Sequence, residues 1–277
     1  MHKMLSKVYA AVFFACADDG IGKFDRLTAS QQILMELFIF GLKKPEKICG
    51  SRDNPADVCE WEGVNCNADG EVEEFEWVRK QQHGTVGFEF LPCSMKTVRM
   101  YANALSGTIE LPDLPGKMEI VSFTCNKLTG SLDLDRLPSN VQTLDLSINE
   151  FTGEISLKHL PEPLEYLVLS DNQLTGTICL TSLSPALDIL HLQKNNFEGS
   201  LDFTQLPESM KRMYLSRNRF SGTIDLGNLP ESMKVLSVRE NALSGTVRMP
   251  AQMYRKFNED LGACCFAGNN DLIVERV

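Results

Sequence analysis

Seven asparagines recur at one interval along the chain: Asn103, Asn126, Asn149, Asn172, Asn195, Asn218 and Asn241, each 23 residues after the last. A strict step of that length marks a solenoid, in which each unit buries its apolar face only by stacking on its neighbours. Glycines keep the same step four residues later, at Gly107, Gly130, Gly153, Gly176, Gly199, Gly222 and Gly245. Two residue types held in register over all seven copies exclude an ordinary globular arrangement of independent helices and strands.

The apolar residues repeat as well. Around Asn172 stand Leu164, Leu167, Leu169 and Leu174, followed by Ile178, Leu180 and Leu183. Around Asn126 stand Met118, Val121, Phe123 and Leu128, followed by Leu132, Leu134 and Leu137. The pattern L-x-x-L-x-L-x-x-N-x-L resembles the leucine-rich repeat family over roughly residues 91–250. Met or Val often replaces the first Leu, and Phe replaces the Leu after Asn at Phe151, Phe197 and Phe220. The second half of each repeat, as in Ser221-Gly222-Thr223-Ile224-Asp225-Leu226, resembles the plant-type subclass found in receptor-like proteins and polygalacturonase inhibitors. Short protist (kinetoplastid-style) proteins of the family are similar too. That subclass usually places Pro directly after the Ile, whereas here Pro230 follows Ile224 by six positions. The resemblance implies an α/β-type solenoid, rich in β and with few helices. It has a parallel concave sheet with one strand per 23-residue repeat, a short second strand and an irregular convex side.

Physical chemistry gives each position a task. Leu167-Val168-Leu169 alternates like a strand, with the Leu side chains inward and Val168 outward. An Asn amide offers two donors and an acceptor, so it can pair backbone groups in its own turn and the next. The ladder is therefore structural. Gly supplies a positive φ or a close approach between turns. Pro, as at Leu229-Pro230, stops sheet pairing and starts the convex return.

A solenoid needs caps, because its terminal repeats otherwise expose core. Thr28 to Leu42 has a helical apolar face (Ile33, Leu34, Leu37, Phe38, Phe40) with Gly41 as a stop. The following Cys59-Glu60-Trp61-Glu62-Gly63-Val64-Asn65-Cys66 closely resembles the N-terminal cap of plant-type relatives. The resemblance implies that Cys59 and Cys66 pair and that Trp61 covers the first repeat; two free buried thiols are the alternative. These features divide the chain into residues 1–17, a cap with an irregular first coil over 18–92, the repeat array over 93–250, and a C-terminal cap or tail over 251–277. In that tail, Cys264 to Asn270 resembles a family cap only weakly and reads as a frayed end with free thiols, since adjacent cysteines rarely bridge one another.

Residues 1–17 fit a signal peptide with a cleavage site at Ala15-Cys16-Ala17, but Leu5, Val8, Tyr9, Val12 and Cys16 also fit one helical face. The first reading makes the protein secreted or cell-surface associated and the second cytoplasmic; no Asn-x-Ser/Thr acceptor occurs. No stretch reaches the roughly 18 apolar residues of a membrane helix. With 27 basic and 37 acidic residues the net charge is −10, which argues against nucleic acid as a partner.

Chemistry is sparse. His191 is the one histidine expected on the concave sheet, and Asp145 lies two strands away, too far for a dyad. The cysteines at 49, 59, 66 and 93 lack zinc spacing, Cys125 has no His in register, and no phosphate loop or dinucleotide fingerprint is present. No enzymatic activity, cofactor or metal is expected. The outward columns are Arg99, Ser122, Asp145, Val168, His191, Tyr214, Ser237 and then Tyr101, Thr124, Ser147, Ser170, Gln193, Ser216, Arg239. Acids (Glu119, Asp145, Glu165, Asp171, Asp188) precede bases (Lys194, Lys211, Arg212, Arg217, Lys234, Arg239), so the face is expected to be split in charge. The candidate ligand-binding residues are Arg99, Tyr101, Tyr166, His191, Gln193, Lys211, Arg212, Tyr214, Arg217 and Arg239. Lys211, Arg212, Tyr214 and Arg217 form the expected hot spot, because Tyr and Arg bury large area while still hydrogen-bonding. The expected function is recognition, adhesion or inhibition through a protein or peptide ligand carrying an acidic patch. An intracellular scaffold and a fragment of a larger receptor are the alternatives.

Overall fold

The computed structural model describes residues 26–249 and 265–276, so both readings of residues 1–17 fall outside it. Two nine-stranded sheets run the length of a solenoid. One is the concave sheet, with parallel strands at Thr97–Arg99, Ile120–Ser122, Thr143–Asp145, Tyr166–Val168, Ile189–His191, Arg212–Tyr214 and Val235–Ser237. The second follows each ladder Asn, as in Gln173–Thr177 and Asn196–Gly199, and is parallel throughout. Short 3-10 turns such as Leu111–Asp113 and Leu134–Arg136 lie between the coils' sheets on the convex return. Between the sheets runs one continuous core, including Leu144, Leu167, Leu190, Met213 and Leu236 from the concave strands and Phe151, Leu174, Phe197 and Phe220 from the second strands.

The asparagines hold the coils at their spacing. Asn172 donates from Nδ2 to Leu146 O and Leu169 O at 3.1 Å and to Ser170 O at 3.2 Å. Its Oδ1 accepts from Phe151 N at 3.1 Å. Leu146 and Phe151 belong to the preceding coil, so each Asn ties its own turn to the one before it, and not to the one after. The glycines four residues on take φ between 78° and 98°. At Gly199 a Cβ would also come within 2.8 Å of the Thr177 side chain in the coil below. Side-chain-free backbone is therefore required there twice over.

The N-terminal cap closes both sheet edges. Its helix spans Gln31–Ile39, shorter than the expected 28–42, with Ser30 capping Ile33 N; Phe40 falls past the helix end and is exposed. Val64–Cys66 adds antiparallel to Val72–Glu76 and covers the concave edge. Lys43 N donates to His83 O and Thr85 N to Gly41 O, which covers the edge of the second sheet. Cys59 and Cys66 form the disulfide that the family resemblance implies, with Cα atoms 5.7 Å apart. Trp61 is buried in the common core and donates its Nε1–H to Ala56 O.

Two stretches differ from expectation. The coil over 72–92 keeps the 23-residue step: Val72, Phe75 and Trp77 occupy the three inward positions, Arg79 has the turn φ of 56°, and Gly84 is positive at 109°. Lys80 stands where the ladder Asn would be and Gln82 where an inward Leu would be, which hid the repeat. The tail is not frayed over 265–276. Asn269 bonds Val238 O and Leu243 N in the ladder manner, and Asp271–Arg276 pairs in parallel with Ala242–Met249. Since 269 − 241 = 28, five extra residues break the interval and conceal this coil.

Candidate functional site

The concave face is a sheet of short strands whose outward side chains form columns. Cα register places Arg99, Ser122, Asp145, Val168, His191, Tyr214 and Ser237 side by side, as the step of 23 requires. Each sits between two inward core residues, so the alternation of the strand alone presents it. The residue before each ladder Asn has a left-handed backbone: φ is 55° at Ala102, 58° at Cys125, 53° at Ile148, 54° at Asp171, 56° at Lys194, 56° at Arg217 and 51° at Glu240. This conformation is uncommon for side chains with a Cβ. Coil-to-coil backbone bonds hold it, such as Asp171 N to Gln193 O at 3.0 Å and Lys194 N to Ser216 O at 2.9 Å. It turns that side chain onto the rim of the face.

Of the candidate residues, Tyr166, His191, Gln193, Lys211, Arg212, Tyr214, Arg217 and Arg239 fall in four adjacent coils. Arg99 and Tyr101 do not join them; Arg99 is roughly 14 Å from Val168 at three strand spacings, and its guanidinium pairs with Glu76. His191 and Tyr214 meet edge to face, with ring centroids 4.5 Å apart. Burial, helped by the positive charge of Arg212, pushes the His191 pKa down and favours the neutral ring.

The expected division into acidic and basic halves resolves into cross-coil pairs. Lys194 Nζ lies 2.7 Å from Asp171, Lys211 Nζ 2.5 Å from Asp188, and Arg217 Nε 2.9 Å from Glu240. Each partner is 23 residues away, the neighbouring strand at the same position. Lys211 and Arg217 of the expected hot spot are thus already neutralised within the protein, which removes the reason to require an acidic ligand. Arg212 is exposed, and among the described residues it has no carboxylate within ion-pair distance.

The middle of the face is a hydrogen-bonded floor. Asp145 Oδ1 accepts from Ser147 N at 3.1 Å and Ser147 Oγ at 2.6 Å, and the Ser147 and Thr124 hydroxyls are 2.7 Å apart. Burial raises the Asp145 pKa, and the Ser147 bonds only partly oppose the shift. Among the described residues no group of three or more His, Cys, Asp or Glu could hold a metal ion, and no helix is long and apolar enough to cross a membrane.

The second sheet offers a different surface. Flanking its glycines, Ser106, Thr129, Thr152, Thr175, Ser221 and Ser244 form one column broken by Glu198. Thr108, Ser131, Thr177, Ser200, Thr223 and Thr246 form another, broken by Glu154. Nearly all of these side chains are exposed.

The architecture is the plant-type leucine-rich repeat solenoid. No family model and no curated protein matches the chain. Solved structures do. The leucine-rich repeat ectodomain of the Arabidopsis thaliana membrane receptor kinase GASSHO1/SCHENGEN3, in complex with Casparian strip integrity factor 2, is 23% identical with a TM-score of 0.64, over 89% of this chain and 29% of that one. A plant ice-binding protein is 20% identical with a TM-score of 0.56, over 89% of this chain and 97% of that one. The Arabidopsis receptor kinase HAESA, in complex with the peptide hormone IDA and the co-receptor SERK1, is 23% identical with a TM-score of 0.52, over 80% of this chain and 40% of that one. The chain thus spans well under half the length of these two receptor structures. At such identities the likeness establishes the fold.

Proposed function

We propose that this is a non-enzymatic recognition module that binds a protein or peptide segment on its concave face. One observation carries the reading: scaffold positions repeat while concave positions do not. In the seven coils from Asn103 to Asn241 the inward apolar residues, the ladder Asn and the turn Gly recur, yet the column from Arg99 to Ser237 changes chemistry at every step. A surface made only to be solvated has no need of two tyrosines and a histidine held half-buried across adjacent coils (Tyr166, His191, Tyr214). The HAESA structure, similar in fold, was solved with a peptide hormone, which is compatible with this use. The Cys59–Cys66 disulfide supports an oxidising, secreted or cell-surface setting.

A second reading draws on the other sheet. Two hydroxyl columns lie about 4.8 Å apart from coil to coil and about 6.8 Å apart along each strand. A rigid periodic surface suits a periodic partner, and one protein of this fold binds ice. Two variants separate the readings. Tyr214→Ala is expected to abolish binding to peptides selected on the wild-type protein while leaving ice recrystallisation unchanged. Thr152→Lys is expected to leave peptide binding intact. Inhibition of recrystallisation by the wild-type protein that Thr152→Lys removes, without any selectable peptide, would overturn the first reading in favour of the second.

A further inference from the structure

The two ends of the solenoid differ. At the N-terminal end the cap covers the outer strand of both sheets. At the C-terminal end the last coil covers the concave edge, where Val238 N donates to Cys265 O and Glu240 N to Ala267 O. The second sheet is left open. Asp271–Arg276 is its outer strand, paired in parallel with Ala242–Met249 on one side, and among the described residues no strand lies on its other side. Such an edge presents a row of N–H and C=O groups to any extended chain that reaches it.

The side chains say which chain that can be. Leu272 and Val274 turn inward and lie half-buried against the end of the core. Asp271, Ile273 and Glu275 turn outward, and Ile273 is 59% exposed. Glu275 pairs with Arg248 at 3.6 Å with both side chains exposed, so that pair is weak and screened by salt. The outward pattern is therefore acid, apolar, acid.

A second copy of this strand is a poor occupant. Antiparallel pairing about Ile273 sets Asp271 against Glu275 at both ends, and pairing about Val274 sets Ile273 against Glu275. Like charges directly opposite one another destabilise a strand pair. The flanking acids thus guard the edge against its own kind. A strand with Lys or Arg at its two ends and three apolar residues between them meets every position. Its bases face the two acids, a β-branched side chain faces Ile273, and two more cover Leu272 and Val274. The pattern reads the same in both directions, so it accepts either strand direction.

We infer that the open edge at Asp271–Arg276 takes an extended polypeptide segment of basic–apolar–apolar–apolar–basic sequence, which adds a strand to the second sheet. Main-chain hydrogen bonds supply affinity and the two acids supply selectivity. This surface is separate from the concave face and from the hydroxyl columns, and does not rest on either reading of them.

The test uses the full chain and two short capped, fluorophore-labelled peptides, one with a Lys-Val-Val-Val-Lys core and one with Glu in place of Lys. The Lys peptide is expected to bind and the Glu peptide to fail, with amide exchange slowing at Asp271–Arg276. Ile273→Lys is expected to weaken the Lys peptide by about tenfold or more. Its position is exposed, so the melting temperature should hold. Asp271→Lys combined with Glu275→Lys is expected to exchange the preference, the Glu peptide now binding better, which keeps the test decisive if Ile273→Lys unfolds. Tyr214→Ala is expected to change nothing. Equal binding of the two peptides, or of neither, would overturn the inference, as would exchange protection confined to other strands. Binding lost with Tyr214→Ala but kept with Ile273→Lys would sink the edge and leave the concave reading standing. A wild-type dimer at neutral pH that Ile273→Lys dissociates would show a second copy to be the occupant and would also overturn it.

Discussion

Each coil has two sides built on one 23-residue step, and they obey opposite rules. Toward the core, Asn172 satisfies three carbonyls and one N–H, and Leu167 and Leu169 are wholly buried. Toward the concave solvent, on the same strand, Val168 and Tyr166 are half-exposed, and one coil further on His191 and Gln193 keep shielded atoms unpaired. The interior repeats because every coil must mate with two near-copies of itself. Among the described residues the concave side chains meet only one another across adjacent coils, as in the Lys194–Asp171 pair, so they are released from strict repetition. The comparison teaches where stability resides and where specificity can be placed without loss of fold.

The largest effect expected is on the interior. Asn172→Ala leaves backbone groups of two coils unpaired and buried, and should cost roughly 3 kcal/mol, read as a fall in urea midpoint at unchanged slope. A loss under about 0.5 kcal/mol would show that water replaces the ladder and would break the comparison. A smaller effect of opposite sign belongs to the concave floor. Burial raises the pKa of Asp145 in the fold, so its contribution is favourable when protonated and is lost as pH rises through the folded value. Asp145→Asn should therefore raise the melting temperature at pH 7, with the gain disappearing below the unfolded carboxylate pKa of about 3.9. A destabilised Asp145→Asn at neutral pH would mean that its bonds to Ser147 outweigh desolvation. The smallest effect is on the rim. Lys194→Ala removes the exposed pair with Asp171 and should change stability by less than about 1 kcal/mol, less still at high salt.

Much of this architecture is legible in the sequence. The Asn interval assigned Arg99, Ser122, Asp145, Val168, His191, Tyr214 and Ser237 to one column, and their strand register agrees. The cap motif carried the Cys59–Cys66 pairing by resemblance. The first coil escaped notice because Lys80 and Gln82 replace its marker residues, although Gly84 kept the step. The last coil escaped because five inserted residues displaced Asn269. The ion pairs were available in principle, since opposite charges 23 residues apart must be strand neighbours: Asp171 with Lys194, Asp188 with Lys211, Arg217 with Glu240. Opposite charges thus alternate between adjacent coils and do not divide the face into halves.

What the chain determines by itself is periodic: which side chains turn inward, which turn outward, and which lie next to one another across coils. A repeat converts sequence distance into spatial adjacency, so a single interval suffices. What only the tertiary structure decided is individual. That the ring of His191 packs edge to face on Tyr214, and that polar atoms at Asp188, His191, Gln193 and Arg239 are shielded from solvent, depend on rotamers and on solvent exclusion. Neither follows from a period, because rotamers and burial are set by the particular neighbours each side chain meets.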